Sequence, residues 1–340
     1  MAAPSRTFRV IACFATLGFC SAASAADYFQ GKTITLNIGY SPGGSYDYYG
    51  RVLSRHLGRN IKGTPTVVVQ SMPGAGSFRA ANFMYSGAPR DGTQIAIVTQ
   101  AVAIEEALKN PGVRYKSSEF GWIGRISKSV ELSVTWHTSK VKAINDALKI
   151  QVPVASTGPG SGSDSYPRLL NATLGTKFKI VSGYPGSNDA MMAIERGEVE
   201  GGMPALNTLL VSKPDWLKDS RVNVLVQYGS ERAAELPNVP TLNELAKTPS
   251  QRQMFQFYSS AGDVGRAFFT TPDTPPAVLK ELREGFLRMT KDPEFIDELK
   301  RASAELSPAS GEEIQKIVKQ TVGVSPDVVK QLVAVLEARD

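Results

Sequence analysis

The sequence has very little cysteine and histidine. Of its 340 residues only Cys13 and Cys20 are cysteine, and only His56 and His137 are histidine. Both cysteines lie near the N-terminus, in a segment that we predict is removed, so the mature chain has no thiol for a disulfide, a nucleophile or a thiolate metal site. The two histidines lack carboxylates at metal-ligand spacing. We therefore expect no metal, no cofactor and no enzymatic activity.

Other signals of common function classes are also missing. No run of Lys and Arg is interleaved with aromatic residues, and the formal net charge is only +6, which gives nucleic-acid binding little support. The sequence contains neither the glycine-rich phosphate loop that ends in Lys-Ser/Thr nor the G-x-S-x-G elbow of serine hydrolases. Gly74 and Gly76 follow a predicted strand, but Arg79 occupies the third glycine position of a dinucleotide-binding fingerprint.

The first 25 residues have the pattern of a secretory signal. Arg6 and Arg9 precede an apolar run over 10–19, and small residues follow up to Ala23-Ser24-Ala25. A basic start, a short apolar run and an A-x-A site predict cleavage after about Ala25 and a periplasmic location. The apolar run is shorter than the roughly 20 residues that a membrane-spanning helix needs.

The rest of the chain alternates predicted strands, glycine-rich loops and helices. Strands are predicted by β-branched, alternating segments at 33–38, 65–70, 94–99, 131–136, 152–156, 178–181 and 222–226. Strands that alternate with helices indicate a largely parallel sheet, and the restart of the pattern after Gly124 indicates two α/β lobes. The tail is predicted to be helical, with helices starting near Pro276 and Pro326 and a capping box at Ser310 and Glu313.

Three glycine-rich loops lie directly between a predicted strand and a predicted helix. They are Gly43-Gly44-Ser45, the segment 74–77 and the segment 158–161. Loops without side chains let a ligand approach the backbone, and helix N-termini favour anions. Each loop alone is also consistent with an ordinary tight turn. Asp47 is expected mainly to neutralise its own helix N-terminus and pair with Arg51, with direct ligand contact as the alternative.

These motifs together resemble the solute receptors of tripartite tricarboxylate transporters, also called Bug-type receptors. The resemblance runs from about Gly31 to the final helices and depends on the order of its motifs. The motifs are 41–47 with Arg51, 72–76, 89–93, 156–161, 183–186, 196–199 and 236–241. The resemblance implies a two-lobed periplasmic binding protein of type II, with a mainly parallel sheet flanked by helices in each lobe and a ligand cleft between the lobes. It implies a first lobe made of 26–124 and 229–340, with part of the C-terminal helices free to pack on the second lobe, which is made of 125–228.

The resemblance also implies the ligand-binding residues, which come from both lobes. They are Gly43, Gly44, Ser45, Asp47, Gly74, Ala75, Gly76, Thr99, Gln100, Ala101, Thr157, Gly158, Ser161, Tyr184 and Gly186. Two departures leave the ligand open. Tyr46, Tyr48 and Tyr49 crowd a loop that usually carries smaller residues, and Pro185 replaces the family's usual lysine. An aromatic ligand, a longer ligand or a degenerate receptor would each fit these departures.

The expected function is capture of a small organic carboxylate and its delivery to a two-component membrane permease of the tripartite tricarboxylate type. Because the three loops lack an adjacent Arg or Lys, we expect helix amides and hydroxyls to hold the carboxylate, without an arginine clamp. We expect a monomer that binds no nucleic acid. A receptor that presents the acid to a membrane sensor is one alternative, and a periplasmic enzyme is a more remote one.

Overall fold

The computed structural model describes residues 28–337, and their strands form two separate sheets. The predicted signal segment and its cleavage site lie outside the described residues. Within 28–337, none of the helices combines the length and the apolar character needed to span a bilayer.

The first sheet contains six of the described strands, in the order β11-β4-β10-β3-β1-β2. They are β1 (Thr33–Ile38), β2 (Thr66–Ser71), β3 (Gln94–Ile97), β4 (Gly121–Arg125), β10 (Ala267–Thr270) and β11 (Ala309–Ser310). Strand β1 pairs in parallel with β2 and β3. Strand β10 is antiparallel to both β3 and β4, and β11 is antiparallel to β4.

The second sheet contains five of the described strands, in the order β7-β6-β8-β5-β9. They are β5 (Leu132–Trp136), β6 (Val152–Ser156), β7 (Phe178–Ser182), β8 (Gly201–Gly202) and β9 (Val222–Gln227). Strand β6 is parallel to β7 and β8, whereas β5 is antiparallel to β8 and β9. The two-lobed α/β fold is confirmed. Both sheets are mixed, however, so the expectation of mainly parallel sheets is wrong: β5 and β10 each enter a sheet where the chain passes between the lobes, and both run against their neighbours.

Helices cover both sheets. They are α1 (Ser45–His56), α2 (Phe78–Ser86), α3 (Val102–Ala107), α4 (Ile144–Ala147), α5 (Gly162–Leu174), α6 (Ser187–Glu195), α7 (Leu206–Ser212), α8 (Pro214–Lys218), α9 (Pro249–Ser259), α10 (Ala261–Val264), α11 (Pro276–Met289), α12 (Pro293–Arg301), α13 (Gly311–Val322) and α14 (Pro326–Glu337). The predicted starts of α11 and α14 and the capping box of α13 are confirmed: the Ser310 hydroxyl accepts from the Glu313 N–H, and the Glu313 carboxylate accepts from the Ser310 N–H.

The chain passes between the two sheets more than once. It leaves the first sheet after β4, builds the second sheet from β5 to β9, and returns to the first sheet with β10. Helix α14 then packs on the second lobe, where Val328 and Leu332 share a buried apolar cluster with Leu169 and Leu170 of α5. The lobe boundaries implied by the resemblance stay a prediction.

Candidate ligand-binding site

A small cavity of about 30 Å³ lies between the two lobes. The first lobe contributes the ends of β1 and β3 and the start of α1, and the second lobe contributes the β6–α5 loop, helix α6 and the segment after β8. Its lining consists of Tyr40, Tyr46, Thr99, Glu131, Ala155, Thr157, Ser161, Gly162, Ser163, Ser187, Ala190, Met191, Ile194, Gly202, Met203 and Pro204. A cavity of this volume holds water but not an organic acid, so this arrangement of the lobes is a closed one.

Hydroxyl groups of the β6–α5 loop form one polar wall of the cavity. The Ser163 hydroxyl lies 2.7 Å from the Ser161 hydroxyl and 3.1 Å from the Thr157 hydroxyl, and it accepts from the Thr157 N–H at 2.9 Å. The Ser161 hydroxyl donates to the carbonyl of Gly158 at 2.8 Å. Hydroxyls can both donate and accept, so this chain of hydroxyls can turn a donor toward a ligand by rotating about single bonds.

Two helix N-termini meet at the cavity. Gly162 and Ser163 begin α5, Ser187 begins α6, and all three residues line the cavity. Within residues 28–337, the backbone N–H groups of these three residues have no acceptor. First-turn amides have no partner inside their own helix and carry the positive end of the helix dipole. Together they supply donors suited to a carboxylate.

Glycines allow the lobes to approach closely around the cavity. The Gly76 N–H donates to the Thr157 carbonyl across the lobes at 3.2 Å. A Cβ at Gly76 would lie 2.6 Å from the Pro159 carbonyl oxygen, and a Cβ at Gly160 would lie 1.9 Å from the Phe78 ring. Since real Cβ atoms do not approach other atoms this closely, the glycines in these loops serve lobe closure as well as the backbone turn.

A buried arginine lies behind the cavity. Arg266, just before β10, is fully buried and stacks on the Tyr46 ring at 4.0 Å. Its guanidinium donates to the Ser45 hydroxyl at 2.8 and 3.1 Å and to the Gln100 side-chain oxygen at 3.1 Å. Arg266 does not line the cavity. It therefore supplies positive potential from behind the site, and its N–H groups hold the first-lobe loops in place.

Glu131 lines the cavity directly and is only 8% exposed. Within residues 28–337, its carboxylate has no hydrogen-bond or ion-pair partner. Burial raises the pKa of Glu131 to about 7, and the charge of Arg266 partly opposes that rise. A carboxyl group ordinarily titrates near pH 4.3, so Glu131 is unusual in holding a proton near neutrality.

The predicted ligand-binding residues fall into three groups. Thr99, Thr157 and Ser161 line the cavity. An outer groove is lined by Gly74, Ala75, Thr157, Gly158 and Tyr184. The remaining predicted residues, which line neither, are Gly43, Gly44, Ser45, Asp47, Gly76, Gln100, Ala101 and Gly186.

The residues of the third group bind other parts of the protein. The Asp47 carboxylate accepts from the Gly43 N–H at 3.0 Å and from Arg51 at 2.8 Å, as expected for a residue that neutralises its helix terminus. The Ala101 N–H donates to the Thr99 hydroxyl at 3.2 Å. Gly44 and Gly186 come before α1 and α6, where Gly44 packs close to Ser187 and a Cβ at Gly186 would lie 2.3 Å from the Ser41 hydroxyl.

Sequence reasoning missed Glu131, Arg266 and the apolar floor of the cavity. The floor is made of Ala190, Met191, Ile194, Met203 and Pro204. Arg266 precedes a short strand that carried no alternating pattern. Glu131 had a detectable signal: it is the one charged residue of the predicted strand 131–136, and a charge in a buried strand is costly unless it has a partner.

The arrangement of this chain, with two lobes around a cavity lined by hydrogen-bond donors, is the fold of solute-binding receptors. The structure of periplasmic binding protein BugD has a TM-score of 0.71 to this chain at 20% identity, covering 90% of this chain and 98% of that chain. MatC from Rhodopseudomonas palustris with bound malate has a TM-score of 0.69 at 19% identity, covering 91% of this chain and 100% of that chain.

The sequence profile of the tripartite tricarboxylate transporter family receptors matches residues 51–333, and the chain belongs to that family. A UPF0065 protein in gbd 5' region of Cupriavidus necator is 26% identical over 345 residues, covering 95% of both chains. The resemblance to Bug-type receptors is thereby confirmed. This is a family of receptors and not of enzymes.

Proposed function

We propose that this protein captures a small organic carboxylate between its lobes in the periplasm and delivers it to a two-component membrane permease. The observation that carries the proposal is that the N–H groups of Gly162, Ser163 and Ser187, which have no acceptor within the described part of the chain, belong to residues that line a single cavity. A carboxylate can accept several hydrogen bonds at once and is the group that two converging helix N-termini favour.

The donors are numerous enough for useful affinity. A dissociation constant of 1 µM corresponds to about 8 kcal/mol. Each hydrogen bond to a charged group contributes about 1.5–3 kcal/mol, and each helix N-terminus contributes roughly 0.3–1 kcal/mol through its dipole. Three amides and a hydroxyl reach this range after the cost of ordering the ligand is subtracted. An arginine clamp is not required, which agrees with Arg266 lying behind the cavity wall.

Lobe opening is part of the proposed cycle. Because the closed cavity of about 30 Å³ holds only water, the lobes separate to admit the acid and close again around it. The segments between β4 and β5 and between β9 and β10 connect the lobes and are the natural hinge. Malate is bound by MatC, which has a similar fold, and it is a suitable first probe for this chain.

The location and the assembly state are also proposals. The segment up to Ala25 directs export and is cleaved, and the mature protein is a monomer. N-terminal sequencing of protein recovered from a periplasmic extract is expected to start at Ala26 or close to it. A sequence that starts at Met1 in membrane-bound material would contradict export by cleavage.

The ligand class is tested by a thermal-shift panel of monocarboxylates, dicarboxylates, aromatic acids, neutral sugars and amines. At least one carboxylate is expected to raise the unfolding temperature in proportion to the logarithm of its concentration. Stabilisation by a neutral sugar or an amine, with no response to any carboxylate, would refute the proposal.

A further inference from the structure

Glu131 is the exception among the buried acidic side chains. The Glu105 carboxylate accepts hydrogen bonds from Ser165 at 2.7 Å and Asn110 at 2.9 Å, and the Glu281 carboxylate accepts from the Lys62 N–H at 2.9 Å. The Glu131 carboxylate has no such partner in the described part of the chain, although only 8% of the residue is exposed. Buried polar groups normally have a partner, so the partner of Glu131 comes from outside the chain.

The cavity brings Glu131 next to the donors proposed to bind the ligand. A Cβ built on Gly162, the first residue of α5, would lie 3.6 Å from Glu131 Cγ. A carboxylate bound at the α5 N-terminus therefore lies beside the Glu131 carboxyl group. Two ionised carboxylates that lie side by side repel each other, and one of them takes up a proton. A neutral carboxyl group instead donates a short, strong O–H···O⁻ hydrogen bond to its neighbour.

We propose that Glu131 is a specificity-determining ligand-binding residue that, as a neutral carboxylic acid, donates its proton in a hydrogen bond to a carboxylate oxygen of the bound ligand. When Glu131 is ionised in the free protein, a proton from solvent is taken up together with the ligand. This inference rests on the proposed function, because it requires a carboxylate in the cavity. The receptor would then select a ligand by the carboxylate oxygen that it offers to protonated Glu131 as well as by its shape.

The buried environment of Glu131 stabilises the protonated form of its carboxyl group. At pH 7 an ordinary glutamate is protonated in roughly one molecule in 500. With a pKa of about 7, Glu131 is protonated in about half of the molecules before the ligand arrives. A bound carboxylate raises that pKa further, because it adds a second negative charge.

Among residues 28–337, the groups that act electrostatically on Glu131 or feel its charge are one arginine and four tyrosines. The charged and titratable neighbours are Arg266, Tyr40, Tyr46, Tyr166 and Tyr228. Burial raises the pKa of all four tyrosines above the usual 10, so they stay neutral in this range. A change in ligand affinity between pH 6 and 8.5 therefore reports on Glu131.

The test is isothermal titration calorimetry of the mature protein with malate, succinate, benzoate and aspartate between pH 6 and 8.5. Since apparent affinity scales with the protonated fraction of Glu131, it is expected to fall about 30-fold over this range, and about half a proton is expected to be taken up per ligand at pH 7. Proton uptake is read from wild-type protein in buffers of different ionisation enthalpy, so it does not depend on any variant folding.

Glu131→Gln keeps a donor of similar shape but cannot titrate. This variant is expected to bind with the affinity of the wild type at pH 6, within about threefold, and to show no pH dependence. His56→Gln is the matched control, because it also replaces an ionisable side chain by glutamine, at a residue that lies outside the cavity and is paired with Glu298. This control is expected to keep the wild-type pH profile.

The possible results of these titrations distinguish a failure of the role proposed for Glu131 from a failure of the proposed receptor function. A wild-type affinity that does not change with pH, or a Glu131→Gln variant that keeps the wild-type pH dependence, overturns the role of Glu131 while the receptor function stands. Aspartate binding that strengthens with pH and is lost in Glu131→Gln also overturns it, since Glu131 would then pair as a carboxylate with an ammonium group. Binding of none of the acids at any pH contradicts the proposed function, and the inference fails with it.

Discussion

Replacement of Ser45 by alanine is predicted to destabilise the protein rather than to act mainly on the ligand. The Ser45 hydroxyl is 1% exposed as a residue and accepts two hydrogen bonds from Arg266 and one from Thr208. Ser45→Ala removes these acceptors and leaves a fully buried guanidinium with Gln100 as its hydrogen-bond acceptor. Loss of a partner to a buried charged donor costs about 2–4 kcal/mol.

The assay is thermal or urea unfolding of the mature protein without ligand. For a chain of this size, a loss of about 2–4 kcal/mol lowers the unfolding temperature by roughly 3–6 °C. Ser54→Ala is the matched control: Ser54 lies in the same helix, is only partly buried, and its hydroxyl donates to the Arg51 carbonyl in an exposed hydrogen bond. Its effect is expected to stay within about 0.5 kcal/mol. Equal unfolding temperatures for the two variants would refute the role assigned to Ser45 and Arg266.

Three further predictions concern the cavity and its surroundings. Ser161→Ala removes a hydroxyl from the cavity wall and is expected to weaken carboxylate binding by roughly 1–3 kcal/mol in calorimetry without lowering the unfolding temperature by more than a few degrees; unchanged affinity would show that Ser161 is not a ligand donor. Gly160→Ala places a Cβ against Phe78 and is expected to hold the lobes apart, which would appear as a larger radius of gyration in small-angle X-ray scattering with ligand present; the wild-type value would contradict the closure geometry. Glu131→Gln is expected to be more stable than the wild type at pH 8 and similarly stable at pH 4. With a folded-state pKa of about 7, Glu131 makes the free energy of unfolding of the wild type fall by up to roughly 3 kcal/mol as the pH rises from about 4.5 through 7. Parallel stability profiles for the two proteins would contradict the raised pKa.

The parts of the fold with a strong local pattern could be predicted from the sequence. Strand β1 begins and ends at the predicted residues, and β6 does too, because alternation and β-branching are local properties. Pro153 is the second residue of β6, close to the strand start, where a missing ladder N–H is tolerated. Strand direction is not a local property. The antiparallel placement of β10 depends on the chain returning from the second lobe, and its four residues carry no periodic signal.

The candidate site could be predicted only in part, for a related reason. Thr157 and Ser161 follow a predicted strand, and in an α/β fold the loop after a strand end is where ligands usually bind. Arg266 reaches Ser45 across 221 positions of sequence, and no spacing rule indicates such a contact. Gly76 and Gly160 belong to the expected glycine motifs, but their lack of a side chain serves contact between the lobes, which becomes visible only once both lobes are placed.

The most direct test of the receptor function is to identify what the protein carries. Protein expressed with its full N-terminal segment, recovered from the periplasm without refolding and denatured in solvent, would be analysed by mass spectrometry for released small molecules. We expect a stoichiometric organic carboxylate that rebinds the emptied protein more tightly at pH 6 than at pH 8.5. A stoichiometric neutral sugar or a cation without a carboxylate group would contradict it.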